Sequence, residues 1–237
     1  MKNLILPVVA VFAVLSLPEV AHADVISLSG SDVNKSFTVD YNGYTGSGTI
    51  DGLASQIVFT LTAATANSYT LGYNVTNTSG APLTGSRVSG FGFNTDPTIS
   101  GASSTGTYSV TALNSNVPNV GSVDVCFKGG GGTNSCAGGG GGGVNLGDSG
   151  SGTLTLSFAS PVTSLSLSDF FTRYQSISGA GSTTSAVGSG TISTSSGGSS
   201  GGTPVPEPGM FGLFALGVGA LMLRRRRRSP APRLAVA

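Results

Sequence analysis

The first third of the chain contains Gln56-Ile57-Val58-Phe59-Thr60-Leu61-Thr62 and, soon after, Tyr69-Thr70-Leu71-Gly72-Tyr73-Asn74-Val75-Thr76. In both stretches apolar residues recur at every second position, with polar residues, mostly threonine, between most of them. This period of two predicts β-strands that turn one face to a core and the other to water. No window outside the two ends of the chain shows a helical period of useful length.

The same alternation extends over residues 25–177. Turn-forming residues interrupt it at short intervals, as at Asn42-Gly43, Ser79–Pro82 and Asp96-Pro97. We therefore predict an all-β fold over residues 24–177, a single antiparallel β-sandwich of jelly-roll type. The further strands predicted from the pattern are Phe37–Tyr41, Val88–Phe93, Tyr108–Val110, Val123–Phe127, Leu154–Phe158 and Leu165–Leu167.

The composition excludes several classes of function. Residues 24–203 contain four Lys or Arg against eight Asp, so this weakly acidic body is not expected to bind nucleic acid. The one histidine, His22, falls in a segment that we expect to be removed, and its loss excludes Ser-His-Asp catalysis and His-ligated metal. With no Trp in the chain and no Glu in the body, a sugar-cleaving site is disfavoured too. We therefore expect a non-enzymatic protein without cofactor or metal, although calcium held by distant loops stays an open alternative.

The N-terminal segment has the order of a secretory signal. Lys2 precedes the fourteen-residue apolar stretch Leu4–Leu17, and Ala21-His22-Ala23 follows with small residues where signal peptidase requires them. Fourteen helical residues rise about 21 Å, less than the roughly 30 Å of a hydrocarbon core, which disfavours a permanent anchor. We predict that residues 1–23 are a signal peptide and that signal peptidase cleaves between Ala23 and Asp24.

The C-terminal segment has three parts in a fixed order. Pro206-Glu207-Pro208 comes first, and the uncharged stretch Met210–Leu223 follows as a predicted short transmembrane helix. An arginine run then holds its end on the cytoplasmic side, as in a stop-transfer sequence, and residues 229–237 form a cytoplasmic tail. A permanent single-pass anchor is the alternative interpretation. The stop-transfer residues are Arg224, Arg225, Arg226, Arg227 and Arg228.

This tripartite segment, residues 204–228, resembles the PEP-CTERM sorting signal of bacterial exported proteins, also known as the ice-binding protein C-terminal domain. The resemblance implies that an exosortase, a membrane-embedded transpeptidase-like enzyme, recognises Pro206, Glu207 and Pro208 and cleaves nearby. It also implies transient anchoring in the inner membrane of a Gram-negative bacterium, then a location at the cell surface or outside the cell, with exopolysaccharide or biofilm as partner. The nine residues after Arg228 depart from the family pattern.

Residues 178–203 differ in composition from the body. Twenty-two of these twenty-six residues are Gly, Ser or Thr, and none is charged. Such a segment supplies little apolar surface for a core, so we predict a flexible linker between the domain and the sorting signal. A final edge strand over residues 186–192 is the alternative.

Cys126 and Cys136 are the only cysteines, and a glycine-rich loop lies between and beyond them. In an exported chain a lone pair of cysteines favours a disulfide, because a metal site or a reactive thiol would need further ligands or a base. The glycines are not followed by Lys-Ser/Thr and a helix, so they do not predict a phosphate site. Together with Asp169–Ile177, the loop resembles the cistern subfamily of PEP-CTERM proteins.

These features predict an exported, non-enzymatic surface or extracellular-matrix protein. The alternative is a module that binds a specific carbohydrate or ice. Ice binding would require a flat, regular array of threonines, and the pairs Thr60/Thr62 and Thr153/Thr155 are too few to predict one.

Overall fold

The computed structural model describes residues 24–132, 135–136, 141–196 and 199–200. The predicted signal peptide, the sorting motif, the transmembrane helix 210–223 and the tail 229–237 lie outside the described residues. Within them, antiparallel strands form the fold, so the predicted all-β architecture is confirmed. The strands are β1 Ile26–Ser29, β2 Ser36–Thr45, β3 Gly48–Thr65, β4 Ser68–Thr76, β5 Gly85–Asp96, β6 Gly101–Ser104, β7 Val110–Val117, β8 Gly121–Lys128, β9 Val144–Asn145, β10 Ser149–Ser157, β11 Ser164–Ser178, β12 Ser185–Ser195 and β13 Ser199–Ser200, with 3-10 turns at Gly30–Asp32 and Gly106–Tyr108.

The main hydrogen-bonded path runs β6-β10-β4-β3-β2-β12-β11-β5-β8-β7, and this sheet folds over on itself. Three strands separate β3 from β5 along the path, which in a flat sheet would be a distance of roughly 19 Å. The rings of Phe59 on β3 and Phe91 on β5 nevertheless lie only 5.8 Å apart. The first layer is therefore β6, β10, β4, β3 and β2, the second is β11, β5, β8 and β7, and β12 joins them.

An aromatic core fills the space between the layers. Phe59 contacts Phe37 from its own layer and Phe93 and Phe170 from the facing layer, with ring centroids 5.1–6.2 Å apart. Each such pair stabilises the fold by about 0.5–1.5 kcal/mol beyond the burial of its surface. The period-two alternation of β3 and β4 thus buries one face of each strand, as the sequence predicts.

Two local predictions were wrong. Asn42-Gly43 does not end its strand but forms a bulge, and β2 continues to Thr45. Gly43 is needed there because a Cβ would lie 2.3 Å from Leu53 Cδ2. Tyr108 belongs to a 3-10 turn and not to a strand.

The flexible-linker prediction was also wrong for residues 185–195. These residues form β12, which pairs with β11 on one side and β2 on the other, so it is an interior strand and not an edge. Composition did not predict this strand because large side chains on the neighbouring strands fill the core space over its glycines. A Cβ on Gly190 would lie 2.7 Å from both Phe170 and Tyr41, and one on Gly188 would meet Thr172 at 2.5 Å.

The two ends of the folded domain lie side by side. The Asp24 carboxylate accepts a 2.6 Å hydrogen bond from the Ile192 backbone amide, and Ile26 of β1 lies opposite Ser200 of β13. Only residues 201–205 separate β13 from Pro206. The described chain therefore begins and ends on neighbouring strands of the sheet.

Candidate functional site

The predicted disulfide is present: Cys126 and Cys136 are bonded, with their Cα atoms 6.0 Å apart. Cys126 lies on β8 between Val125 and Phe127, whose side chains are in the core. Because successive side chains of a strand point to opposite faces, the Cys126 side chain points to the outer face of the second layer. Across that face Phe171, Gly92 and Cys126 lie in one row of opposed residues. Both half-cystines join a small outer cluster with Ala112, Val117, Val123, Phe171 and Val187. The disulfide is therefore packed as a structural group.

Lys128 organises the same loop from inside. Only 5% of this residue is exposed, and its ammonium donates hydrogen bonds to the backbone carbonyls of Gly132 and Ser135, the latter at 2.6 Å. Burial lowers the pKa of Lys128. Among the described residues no carboxylate forms an ion pair with it, and the two backbone carbonyls are the partners seen there.

The glycines at the two ends of the loop, residues 129–130 and 141–143, pack against each other. A Cβ on Gly129 would lie 2.2 Å from the Gly143 nitrogen, and one on Gly130 would lie 2.0 Å from the Gly141 oxygen. The backbones approach so closely that only glycine fits. The described glycines thus serve loop packing.

A polar trough lies on the outer face of the sheet, with a volume of about 330 Å³. It forms where β11 bulges, since Ser168 lies opposite Asn94 and Phe171 lies opposite Gly92. The bulge sends Phe170 into the aromatic core and Phe171 into the outer cluster, and Asp169 adopts a left-handed conformation with φ 51°. The residues that line the trough are Tyr44, Asn94, Val120, Ser122, Asp169, Phe170, Phe171, Gly188 and Ser189.

Hydrogen bonds fix the polar end of the trough. Asn94 Nδ2 donates to Asp169 Oδ2 at 2.9 Å, and Asn94 Oδ1 accepts from the Asp124 backbone amide at 2.9 Å. Asp124 Oδ2 in turn accepts from the Thr95 backbone amide at 2.8 Å. Sequence analysis missed this group because its members come from three separate strands. The adjacent Phe170 and Phe171, which break the alternation, were the one sequence signal of the bulge.

The threonines considered for an ice-binding array do not form an uninterrupted one. Thr60 and Thr153 both lie opposite Gly72, which places a gap between them in the row. Thr62 lies at a bulge in β3, and its hydroxyl donates to the Thr70 backbone carbonyl at 3.0 Å. The regular Thr spacing that ice binding requires is therefore broken at two points.

Two searches of the described residues gave negative results. No group of three or more His, Cys, Asp or Glu side chains there is arranged to hold a metal ion. Nor does any helix in the described ranges have the length and apolar character needed to cross a membrane.

The comparisons with known proteins bear on the C-terminal segment. The family model of the PEP-CTERM protein-sorting motif matches residues 204–228. The match contains Pro206-Glu207-Pro208, the apolar stretch and the five arginines, as the sequence predicts. Searches of curated proteins and of solved structures found no match. The motif implies export, membrane anchoring and processing by exosortase. Residues 204–228 therefore match the PEP-CTERM protein-sorting motif, which indicates a chain that is targeted to exosortase.

Proposed function

We propose that this is a non-enzymatic surface or matrix protein, which exosortase releases from the inner membrane and which is then retained by exopolysaccharide in the biofilm. The observation that carries the proposal is the sorting motif at residues 204–228. Signal peptidase acts first in this scheme, at Ala23–Asp24, and exosortase acts second, near Pro206-Glu207-Pro208. The resemblance of the cysteine loop to the cistern subfamily stays a prediction.

The residue content supports a non-enzymatic role. A chain that begins at Asp24 has no histidine, and its eight body carboxylates are all aspartates on separate segments. Acyl transfer with a histidine base and two-carboxylate glycoside hydrolysis both lack their usual residues. The disulfide supports an oxidising, extracytoplasmic location, because such bonds persist there.

The chemistry of the domain surface favours binding to a hydrated, uncharged partner. Within the described ranges, Leu113 is the one large apolar side chain that is exposed. On the outer face of the first layer, hydroxyls of neighbouring strands bond to each other, as in Ser36 with Thr60 at 2.7 Å and Thr76 with Ser149 at 2.9 Å. A face of this kind favours a polyhydroxylated partner such as polysaccharide over an apolar protein surface.

The sorting step is tested by Glu207→Ala in the full chain, expressed in a host with exosortase. Glu207 is the one charge in the recognition motif, so its loss should leave export intact while unprocessed protein accumulates in the membrane fraction. Arg233→Ala, which removes a charge outside residues 204–228, is the matched control and should be released normally. Release of Glu207→Ala at the wild-type rate would contradict the proposal.

Matrix association is tested separately on the released protein. Sedimentation with exopolysaccharide purified from the same host should carry the protein into the pellet, and digestion of the polysaccharide should return it to the supernatant. A protein that stays in the supernatant in both cases is exported but has no matrix role.

A further inference from the structure

We propose that the polar trough binds one uncharged sugar unit of a glycan chain. This inference deepens the proposed function and rests on it, because the matrix polysaccharide is the source of the glycan. A monosaccharide needs hydrogen-bond acceptors and donors for its hydroxyls, an apolar wall for its C–H face, and a cavity of limited size. The trough supplies each of these.

The acceptor is the Asp169 carboxylate. Its Oδ2 accepts hydrogen bonds from Asn94 Nδ2 at 2.9 Å and from Ser168 Oγ at 3.2 Å. Its Oδ1 has no partner among the described residues, and the side chain is exposed at the rim of the trough. A charged acceptor makes shorter and stronger hydrogen bonds to hydroxyl donors than a neutral one does.

The donors stand beside this acceptor. Asn94 Nδ2 carries two protons and gives one to Asp169, while its Oδ1 is occupied by the Asp124 amide, which fixes the orientation of the amide group. The hydroxyls of Ser122 and Ser189 also line the trough. An acceptor and a donor held next to each other match two neighbouring hydroxyls of one sugar, each of which both donates and accepts.

Part of the lining is apolar and held in place. Tyr44 and Val120 line it, and the Tyr44 hydroxyl donates to the Asn119 backbone carbonyl at 2.8 Å. This bond ties the end of β2 to the turn between β7 and β8, so the wall exists before a ligand arrives. A rigid site of this kind loses less conformational entropy when it binds.

Charge and volume narrow the class of ligand. Asp169 is the only acidic or basic residue lining the trough that is charged at neutral pH, so an anionic sugar would be repelled and a divalent cation would find a single carboxylate. A volume of about 330 Å³ lies at the small end of ligand pockets, which suits one sugar unit and not a longer segment.

The test is saturation-transfer NMR on the full chain in detergent, with the methyl glycosides of glucose, galactose, mannose and N-acetylglucosamine as probes. At least one probe should show transfer. Asp169→Asn preserves the shape and tolerates the left-handed backbone, and it should weaken binding about tenfold or more. Ser122→Tyr, which fills the trough, should abolish the signal. The control Ser151→Tyr, at an exposed position of β10 in the first layer, should bind as the wild type does.

Three results would overturn the inference. They are the absence of transfer to every probe, equal transfer with Ser122→Tyr, and transfer that depends on added calcium, which would make the trough a cation site. The proposed function fails separately, if the chain is not processed at its tail or the released protein does not sediment with exopolysaccharide. Normal processing and sedimentation without a probe signal would reject only the trough.

Discussion

At the scale of single residues, the tyrosines carry the clearest electrostatic signature. Burial raises the pKa of all six, and it raises the pKa of Tyr174 to about 12. The Tyr174 hydroxyl lies 2.7 Å from Ser55 Oγ inside the sandwich, and Tyr41 and Tyr108 are equally buried. An ionised phenolate in this core would lack solvation, so the fold retains these protons at pH values where the unfolded chain loses them.

The first prediction is a loss of stability above about pH 10. An unfolded tyrosine ionises near 10, so between pH 10 and 12 the unfolded state binds fewer protons than the folded state, and the free energy of unfolding falls as pH rises. Tyr174 alone contributes a fall of about 2 kcal/mol by pH 12. Lys128 acts in the opposite direction as pH rises toward the ordinary lysine pKa, because burial lowers the pKa of Lys128.

Urea unfolding midpoints measured from pH 8 to pH 12 check this prediction. Tyr174→Phe removes the ionisable hydroxyl and should flatten the decline, while the wild type loses stability steeply. A decline of the same steepness in both proteins would show that Tyr174 is not the buried acid described above.

A second prediction at this scale concerns Gly190. Gly190→Ala should destabilise the domain by about 1–3 kcal/mol, because the added Cβ would lie 2.7 Å from both Phe170 and Tyr41. Gly101→Ala on β6 is the matched control: nothing lies within 4 Å of a Cβ there, so this change should be neutral or slightly stabilising. Thermal unfolding of both variants gives the comparison. Equal midpoints for the two would place β12 outside the packed sheet.

At the scale of elements, a strand could be predicted from the sequence when it carries large apolar side chains of its own. β3 and β4 were visible because Phe59, Leu61, Tyr69 and Leu71 alternate with polar residues. β12 was not, because its glycines receive the side chains of β2 and β11. The trough was invisible for a related reason: Asn94 and Asp169 meet through strand pairing, which local sequence does not encode.

The disulfide loop gives the element-scale prediction. Closure of a loop of about ten residues should stabilise the fold by about 2.5–3 kcal/mol on the chain-entropy model, so Cys126→Ser with Cys136→Ser should lower the thermal midpoint by roughly 5–12 °C. The double substitution also removes two members of the outer cluster around Phe171, and this loss of packing should lower the thermal midpoint further.

Differential scanning calorimetry of the oxidised protein and of this double variant measures the difference. The oxidised wild type should show no free thiol to a maleimide probe and no dimer on a non-reducing gel. Two free thiols would refute the bridge, and a disulfide-linked dimer would assign the cysteines to assembly.

At the scale of the whole molecule, the sheet brings the two ends of the folded domain together. Asp24 bonds to Ile192, and β1 pairs with β13, so the chain enters and leaves the domain on neighbouring strands. Only residues 201–205 lie between β13 and Pro206. The segment between the folded domain and the sorting motif is therefore much shorter than the 26-residue linker that composition had indicated.

The intact mass of the released protein, with sequencing of both its termini, tests the central claim most directly. An exported chain sorted through residues 204–228 should begin at Asp24, contain the Cys126–Cys136 disulfide and end near Pro206-Glu207-Pro208. Peptides from Met210 to Arg228 should be found only in the membrane fraction. Recovery of those peptides from the released protein would contradict exosortase processing.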